Sequence, residues 1–190
     1  MTGKSTCLVE DKWLTTPFMH TGKSPLDRIS YCLLVLMKYL SWLEPTTEPV
    51  SKDVSIMKLF SFMSDLDEIW SQISHWESHR ACHGDEYPPE CVYTYTNAHQ
   101  ANTVATHGLA RLILLLLLDR RPGSHLTLPV KVMGSEYKEG MMAQASASII
   151  SAAAYLSAFD IGCAYLRIIL PLQFVAQHSP QLSRRWRARV

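Results

Sequence analysis

From Asn97 to Asp119 the sequence reads NAHQANTVATHGLARLILLLLLD, and this stretch limits the fold more than any other. Ala101, Val104, Ala105, Gly108, Leu109 and Leu112 recur three and four residues apart, the spacing of one helix face. From Leu112 to Leu118 the apolar run is unbroken, which predicts a helix end enclosed on all sides. Such a helix is not stable alone in water and requires partners. Other segments of the chain carry helical signals of their own. The expected fold class is all-α: a multi-helix bundle of packed antiparallel helix pairs around this central helix.

Two of those partners precede it. Ser24-Pro25-Leu26-Asp27 is a strong helix start, with a capping serine, proline at the first helical position and an acid in the first turn. This first helix is expected to run through Ile29, Leu33, Leu36, Met37 and Leu40, and to stop near Trp42 before Pro45 and Pro49. Ser51 opens the second helix, with Asp53 in its first turn. Ile56, Met63 and Trp70 repeat every seven residues, as do Leu59, Leu66 and Ile73. The short, Pro-rich join between the two helices predicts an intramolecular antiparallel hairpin rather than a long coiled coil.

Beyond the second helix the chain is less regular. Gly84 to Pro89 reads as a loop. Cys91-Val92-Tyr93-Thr94-Tyr95 has strand-like composition but no evident partner strand, so it reads as an extended lead-in to the central helix. Asp119-Arg120-Arg121-Pro122-Gly123 stops that helix. A fourth helix is expected from about Met141, with Ala145, Ile149, Ala152 and Leu156 on one face, and a fifth from about Cys163 to Ala176. Pro171 should kink the fifth helix or begin a new segment there. Ser179-Pro180 reads as the start of a short basic helix. Residues 1–23, with Trp13 and Phe18 around Pro17, read as an extended lead-in. Residues 24–190 read as a single helical domain.

Composition narrows the class further. Eighteen Lys and Arg against 17 Asp and Glu give a net charge of +1, with no global pull toward nucleic acid or an acidic partner. The five cysteines, Cys7, Cys32, Cys82, Cys91 and Cys163, are scattered and show no C-x-x-C pair, which argues for reduced thiols. MTGKSTCLVEDKW has no apolar core segment, so no secretory signal is expected. Leu112 to Leu118 is too short for a membrane span of about 20 residues, and Met141 to Phe159 is mostly Ala and Ser. No membrane is expected as a partner.

One constellation has metal-ligand character. His75 and His79 are four apart, so on one helical face both rings reach a single ion, and Cys82 or His83 supplies a third ligand. Glu77 is misplaced for the zincin arrangement, and a solvated helix end accounts for the same residues. No catalytic triad, phosphate loop or nucleophile elbow is marked by spacing, so no enzyme activity is expected. Arg184, Arg185, Arg187 and Arg189 crowd the last seven residues without an acid. They offer contacts to phosphate or to a partner. A solvated last turn with Trp186 folded back on the core is the simpler reading.

Several landmarks together resemble a known family. Trp13 to Leu36, WLTTPFMHTGKSPLDRISYCLLVL, is similar to the segment of fungal zinc-cluster transcription factors in which Trp and Pro precede a helix beginning with Leu-Asp. DEYPPECVYTYTNAHQANTVATHGLARLILLLLL resembles that family's acidic, proline-containing stretch, aromatic lead-in and Leu-rich helix. Ile150 to Trp186 follows the same order: a helix, a Gly, Leu-Arg-Ile-Ile-Leu-Pro-Leu-Gln-Phe-Val-Ala, a Pro, then Arg-Arg-Trp. The resemblance is to the C-terminal half of the family's fungal-specific regulatory domain and covers nearly the whole chain. Its motifs are loose, so the order of Leu, Pro and Trp carries it.

The resemblance implies a nuclear regulatory domain that controls transcription through other regulatory proteins, a homodimer or a small-molecule effector, touching DNA only indirectly. The family's six-cysteine cluster, C-x2-C-x6-C and its mirror half, has no counterpart here, where Cys7 is followed next by Cys32. No cofactor is therefore expected in this chain, and zinc only in a separate cluster domain upstream. The segment between Phe159 and Leu170 is also more compact than is usual in the family. The chain is expected to be a regulatory fragment whose DNA-binding part lies elsewhere, or a shortened relative that never binds DNA directly. The alternative from another class is a small metal-binding protein or enzyme using His75, His79 and Cys82 or His83.

Overall fold

A computed structural model describes residues 22–41, 53–79, 93–119, 135–157 and 162–178. Among them are five helices: α1 (Pro25–Ser41), α2 (Asp53–Ile73), α3 (Ala98–Asp119), α4 (Ser135–Ser157) and α5 (Gly162–His178). A 3-10 turn (Ser74–Trp76) and two short strands, β1 (Ser78–His79) and β2 (Tyr93–Thr94), join α2 to α3. The fold is all-α. The lead-in with Trp13 and Phe18, the loop at 84–89 and the basic segment after Ser179 lie outside the described residues.

The cap of α1 forms as its sequence implies. Ser24 N donates to Asp27 Oδ2 at 3.0 Å and Asp27 N donates to Ser24 Oγ at 3.3 Å, a reciprocal pair that satisfies two helix-start donors. The helix then buries Ile29, Cys32, Leu36 and Tyr39, while Met37 stands 42% exposed on the opposite side. α2 lies antiparallel to α1: Arg28 near the start of one pairs with Glu68 near the end of the other at 3.2 Å. The Tyr31 and Phe62 rings meet edge-on between them. The buried seam of α2 is Leu59, Phe62, Leu66, Ile69 and Ile73, a run of alternating three- and four-residue steps. One expected heptad, Leu59-Leu66-Ile73, lies in it, whereas Met63 and Trp70 of the other are only half-buried.

α3 is the centre, in contact with all four other helices and most extensively with α4. Asn97 caps it, its Oδ1 accepting from Gln100 N at 2.9 Å, and Gln100 Oε1 accepts in turn from Thr96 N at 3.2 Å. Leu112 to Leu117 are each at most 9% exposed, so the apolar run is enclosed as its composition requires except at Leu118, which is half-buried. Each fully buried Leu or Ile of this kind stabilises the fold by about 1.5–3 kcal/mol. Ala98–Leu118 is long and apolar enough to cross a membrane, but 83% of its apolar window is buried inside the protein.

Two apolar clusters meet on α3. One joins α1, α2 and α3 with Ala152, Leu156 and Ile168; the other joins Leu112, Leu115 and Leu116 to Met141, Met142, Ala145, Ile149 and Val175. Ala145, Ile149, Ala152 and Leu156 all face inward, as their spacing implies.

The structure departs from the sequence reading at three places. α4 begins at Ser135 rather than Met141, because Gly140 sits on an open face of the helix and is tolerated inside it. β2 does have a partner: Ser78 pairs with Thr94 and His79 with Tyr93, antiparallel. A pair of two-residue strands is too short to show alternation. Pro171 begins no new segment: α5 runs on through it, with Pro171 buried in line with Ile168 and Val175. Packing on that face holds the helix across the missing backbone donor.

Candidate functional site

The histidines singled out by spacing do not share a helical face. α2 ends at Ile73, and the chain leaves through the 3-10 turn, where Glu77 N donates to Ser74 O at 3.2 Å. Glu77 is already extended, at φ −82° and ψ 110°. His75 therefore sits exposed on the turn, edge-on to Trp76, while His79 belongs to β1. The premise that an i,i+4 pair reaches one ion from one helix face is corrected by this change of backbone. Cys82, His83, Arg184, Arg185, Arg187 and Arg189 lie outside the described residues. Among the described residues no three His, Cys, Asp or Glu side chains cluster so as to hold a metal ion.

The structure brings together a different group. Because α3 has neighbours on every side, its polar positions are buried along with its apolar ones: Asn102, Thr103 and His107 are all under 9% exposed. Thr103 and Thr106 satisfy their hydroxyls within the helix, donating to the carbonyls of His99 and Asn102 at 2.9 and 2.6 Å. His107 reaches across to α2, its Nε2 standing 2.9 Å from the Leu66 carbonyl oxygen. A carbonyl only accepts, so Nε2 carries the proton in the neutral ring. The imidazole also stacks on Trp70, with centroids 5.0 Å apart and planes 22° from parallel. Burial pushes its pKa down to about 4, and the positive Arg111 one turn along adds to that.

Trp70, His107, Gly108, Arg111, Gln144, Ala145 and Ser148 line a cleft of about 220 Å³, counted to its open mouth. Much of that space is open solvent, and the enclosed part has room for about one water, so the cleft does not suit a drug-sized molecule. At its rim Arg111 pairs with Asp67 of α2 at 3.2 Å. On the far side of Ser148 the buried Tyr95 hydroxyl donates to a Glu77 carboxylate oxygen at 3.1 Å, with the Ser148 carbonyl at 3.4 Å. These groups fasten α2, the strand pair and α4 around α3.

None of this cluster stood out in the sequence. The available signal was His107 one turn from Arg111 in a helix apolar enough to be surrounded, a situation in which polar side chains are buried too. A second feature lies on α5. Leu166, Ile169, Leu170 and Leu172 are 37–73% exposed, within the segment Leu-Arg-Ile-Ile-Leu-Pro-Leu. In comparisons with known proteins, no family model, curated protein or solved structure matches the chain.

Proposed function

We propose that this chain is an all-helical regulatory domain, akin to the C-terminal half of the fungal-specific domain of zinc-cluster transcription factors. It acts in the nucleus through contacts with other regulatory proteins, a second copy or a small effector. It performs no chemistry of its own and meets DNA through a separate module.

One observation carries this reading. The described parts of the three landmark segments, residues 22–36, 93–118, 150–157 and 162–178, pack together through α3. The Leu-Asp start opens α1, the Leu-rich stretch is α3, and the Leu-Arg-Ile-Ile-Leu-Pro-Leu-Gln-Phe-Val-Ala segment lies within α5. α1 and α5 both pack on α3. A regulatory domain needs such a self-sufficient core to present a fixed surface.

The test is to tether the whole chain to an unrelated DNA-binding module upstream of a reporter gene in a fungal host. The expected outcome is a several-fold change in reporter output, of either sign, relative to the module alone. A fusion that is folded and nuclear yet leaves output unchanged would overturn the reading.

A further inference from the structure

His107 of α3 uses only one of its two ring nitrogens on the protein. Its Nε2–H donates to the Leu66 carbonyl of α2, which leaves the Nδ1 lone pair as an acceptor. Among the described residues Nδ1 has no hydrogen-bond partner, and neither does the Ser148 hydroxyl of α4. No fully buried side-chain nitrogen or oxygen among the described residues lacks a partner, so these two atoms are open to water. His107 is 2% exposed and Ser148 3%, and the surface that each retains lies in the cleft that both line. A buried polar atom left unbonded costs about 1–3 kcal/mol, and a bound water removes that cost.

We propose that this cleft binds a single water, which donates to His107 Nδ1 and bonds the Ser148 hydroxyl, so that the imidazole links α2 to α4 through α3. The space fits that ligand, since its enclosed part has room for about one water. The exposed Gln144 shares the lining and offers an amide as a third partner. Two to four polar partners are what hold a buried water. Other small ligands fit the chemistry less well. An anion would meet the Nδ1 lone pair, and the Arg111 guanidinium that could attract it is already paired with Asp67. A cation would meet Arg111 itself.

NMR of the full chain with nitrogen-labelled histidine at neutral pH, together with a crystal structure showing ordered water, tests this. The His107 ring should show the Nε2–H tautomer, with its Nδ1 resonance displaced from the position of an unbonded ring nitrogen. Ser148→Ala removes one partner of the water but leaves the Tyr95 contact, which uses the Ser148 backbone carbonyl. In that variant the Nδ1 resonance should move toward the unbonded position while the tautomer stays the same. The crystal structure should place one water within about 3.2 Å of both Nδ1 and the Ser148 hydroxyl oxygen. Should Ser148→Ala fail to fold, the wild-type crystal structure decides. An unbonded Nδ1 in the wild-type chain, an Nδ1 resonance indifferent to Ser148→Ala, or no ordered water between the two atoms would overturn the proposal.

Discussion

Gly108 packs against Ile149 with no room for a side chain: a Cβ at residue 108 would lie 2.9 Å from Ile149 Cγ1 and 3.0 Å from the Ala145 carbonyl oxygen. The glycine thus sets how closely α3 and α4 approach. Gly108→Ala gains about 1 kcal/mol of helix propensity but forces buried groups apart, at a cost of about 1–3 kcal/mol. The expected net is destabilisation of about 1 kcal/mol, read as a lower urea midpoint. Gly140→Ala is the control, since nothing lies within 4 Å of its Cβ position and it sits inside α4. It should stabilise by about 0.5–1 kcal/mol. If both substitutions move the midpoint the same way, close approach at Gly108 is not what restrains that site.

This pair also indicates how far local pattern reaches. The enclosure of Leu112 to Leu117 was legible because an unbroken apolar run has no solvent side to offer. The start of α1 was legible because Ser24 and Asp27 bond each other across a single turn. The start of α4 at Ser135, six residues before the expected Met141, was not legible, since a glycine such as Gly140 is tolerated inside a helix only where nothing crowds it, which neighbours decide. The departure from helix after Ile73 was invisible for a related reason. A two-residue strand such as β1 exists only because β2 lies beside it, and no local periodicity encodes that. His107 was missed because a polar residue opposite an apolar stripe ordinarily faces water. Here α2 occupies that side and supplies a carbonyl in place of solvent.

His107 makes stability depend on pH. Its pKa is about 4 in the fold against an ordinary value of 6.5, chiefly because burial disfavours the charged ring. The unfolded chain therefore binds the proton more readily. The stability associated with the neutral ring is fully present above pH 6.5 and is lost as pH falls from 6.5 toward 4. The whole loss amounts to about 3 kcal/mol. Urea unfolding at pH 7.5 and pH 5 should show a clearly lower midpoint in acid. His107→Gln should flatten that dependence between pH 7.5 and 5.

The Tyr95 hydroxyl ties the exit of α2 to α4. The side chain is 6% exposed and stands edge-on to Tyr155, and its hydroxyl is bonded to Glu77. Burial, then the Glu77 charge, raises its pKa above the usual tyrosine value, so the fold favours the neutral phenol. Tyr95→Phe removes the donor and with it the partly buried bond between the Tyr95 hydroxyl and Glu77. The expected loss is about 1–2 kcal/mol by thermal or urea unfolding. An unchanged midpoint would mean the bond contributes nothing net.

Cys32 should be chemically silent in the native chain. It is 3% exposed, and burial, reinforced by Asp65, pushes its thiol up to about 11 from 9.0. The thiolate is the reactive form, so at pH 8 the shift alone slows alkylation about 100-fold, before access is considered. Iodoacetamide labelling followed by peptide mass spectrometry should mark Cys32 in urea and leave it unmarked in buffer. Rapid native labelling would mean that the α1 face opens far more often than its packing implies.

The metal-binding alternative makes an opposite prediction to the regulatory reading, and the backbone after Ile73 decides which is expected. His75 is exposed on the 3-10 turn and His79 belongs to β1, so the two rings lack the common helical face that spacing alone implied. A two-histidine site without that geometry binds zinc weakly, because tetrahedral zinc needs ligands converging at about 2.0–2.3 Å. The purified chain is expected to carry no stoichiometric zinc by elemental analysis, and its melting temperature should not move on treatment with EDTA. Stoichiometric zinc that His79→Ala removes would give the metal reading priority, with Cys82 or His83 completing the ligand set.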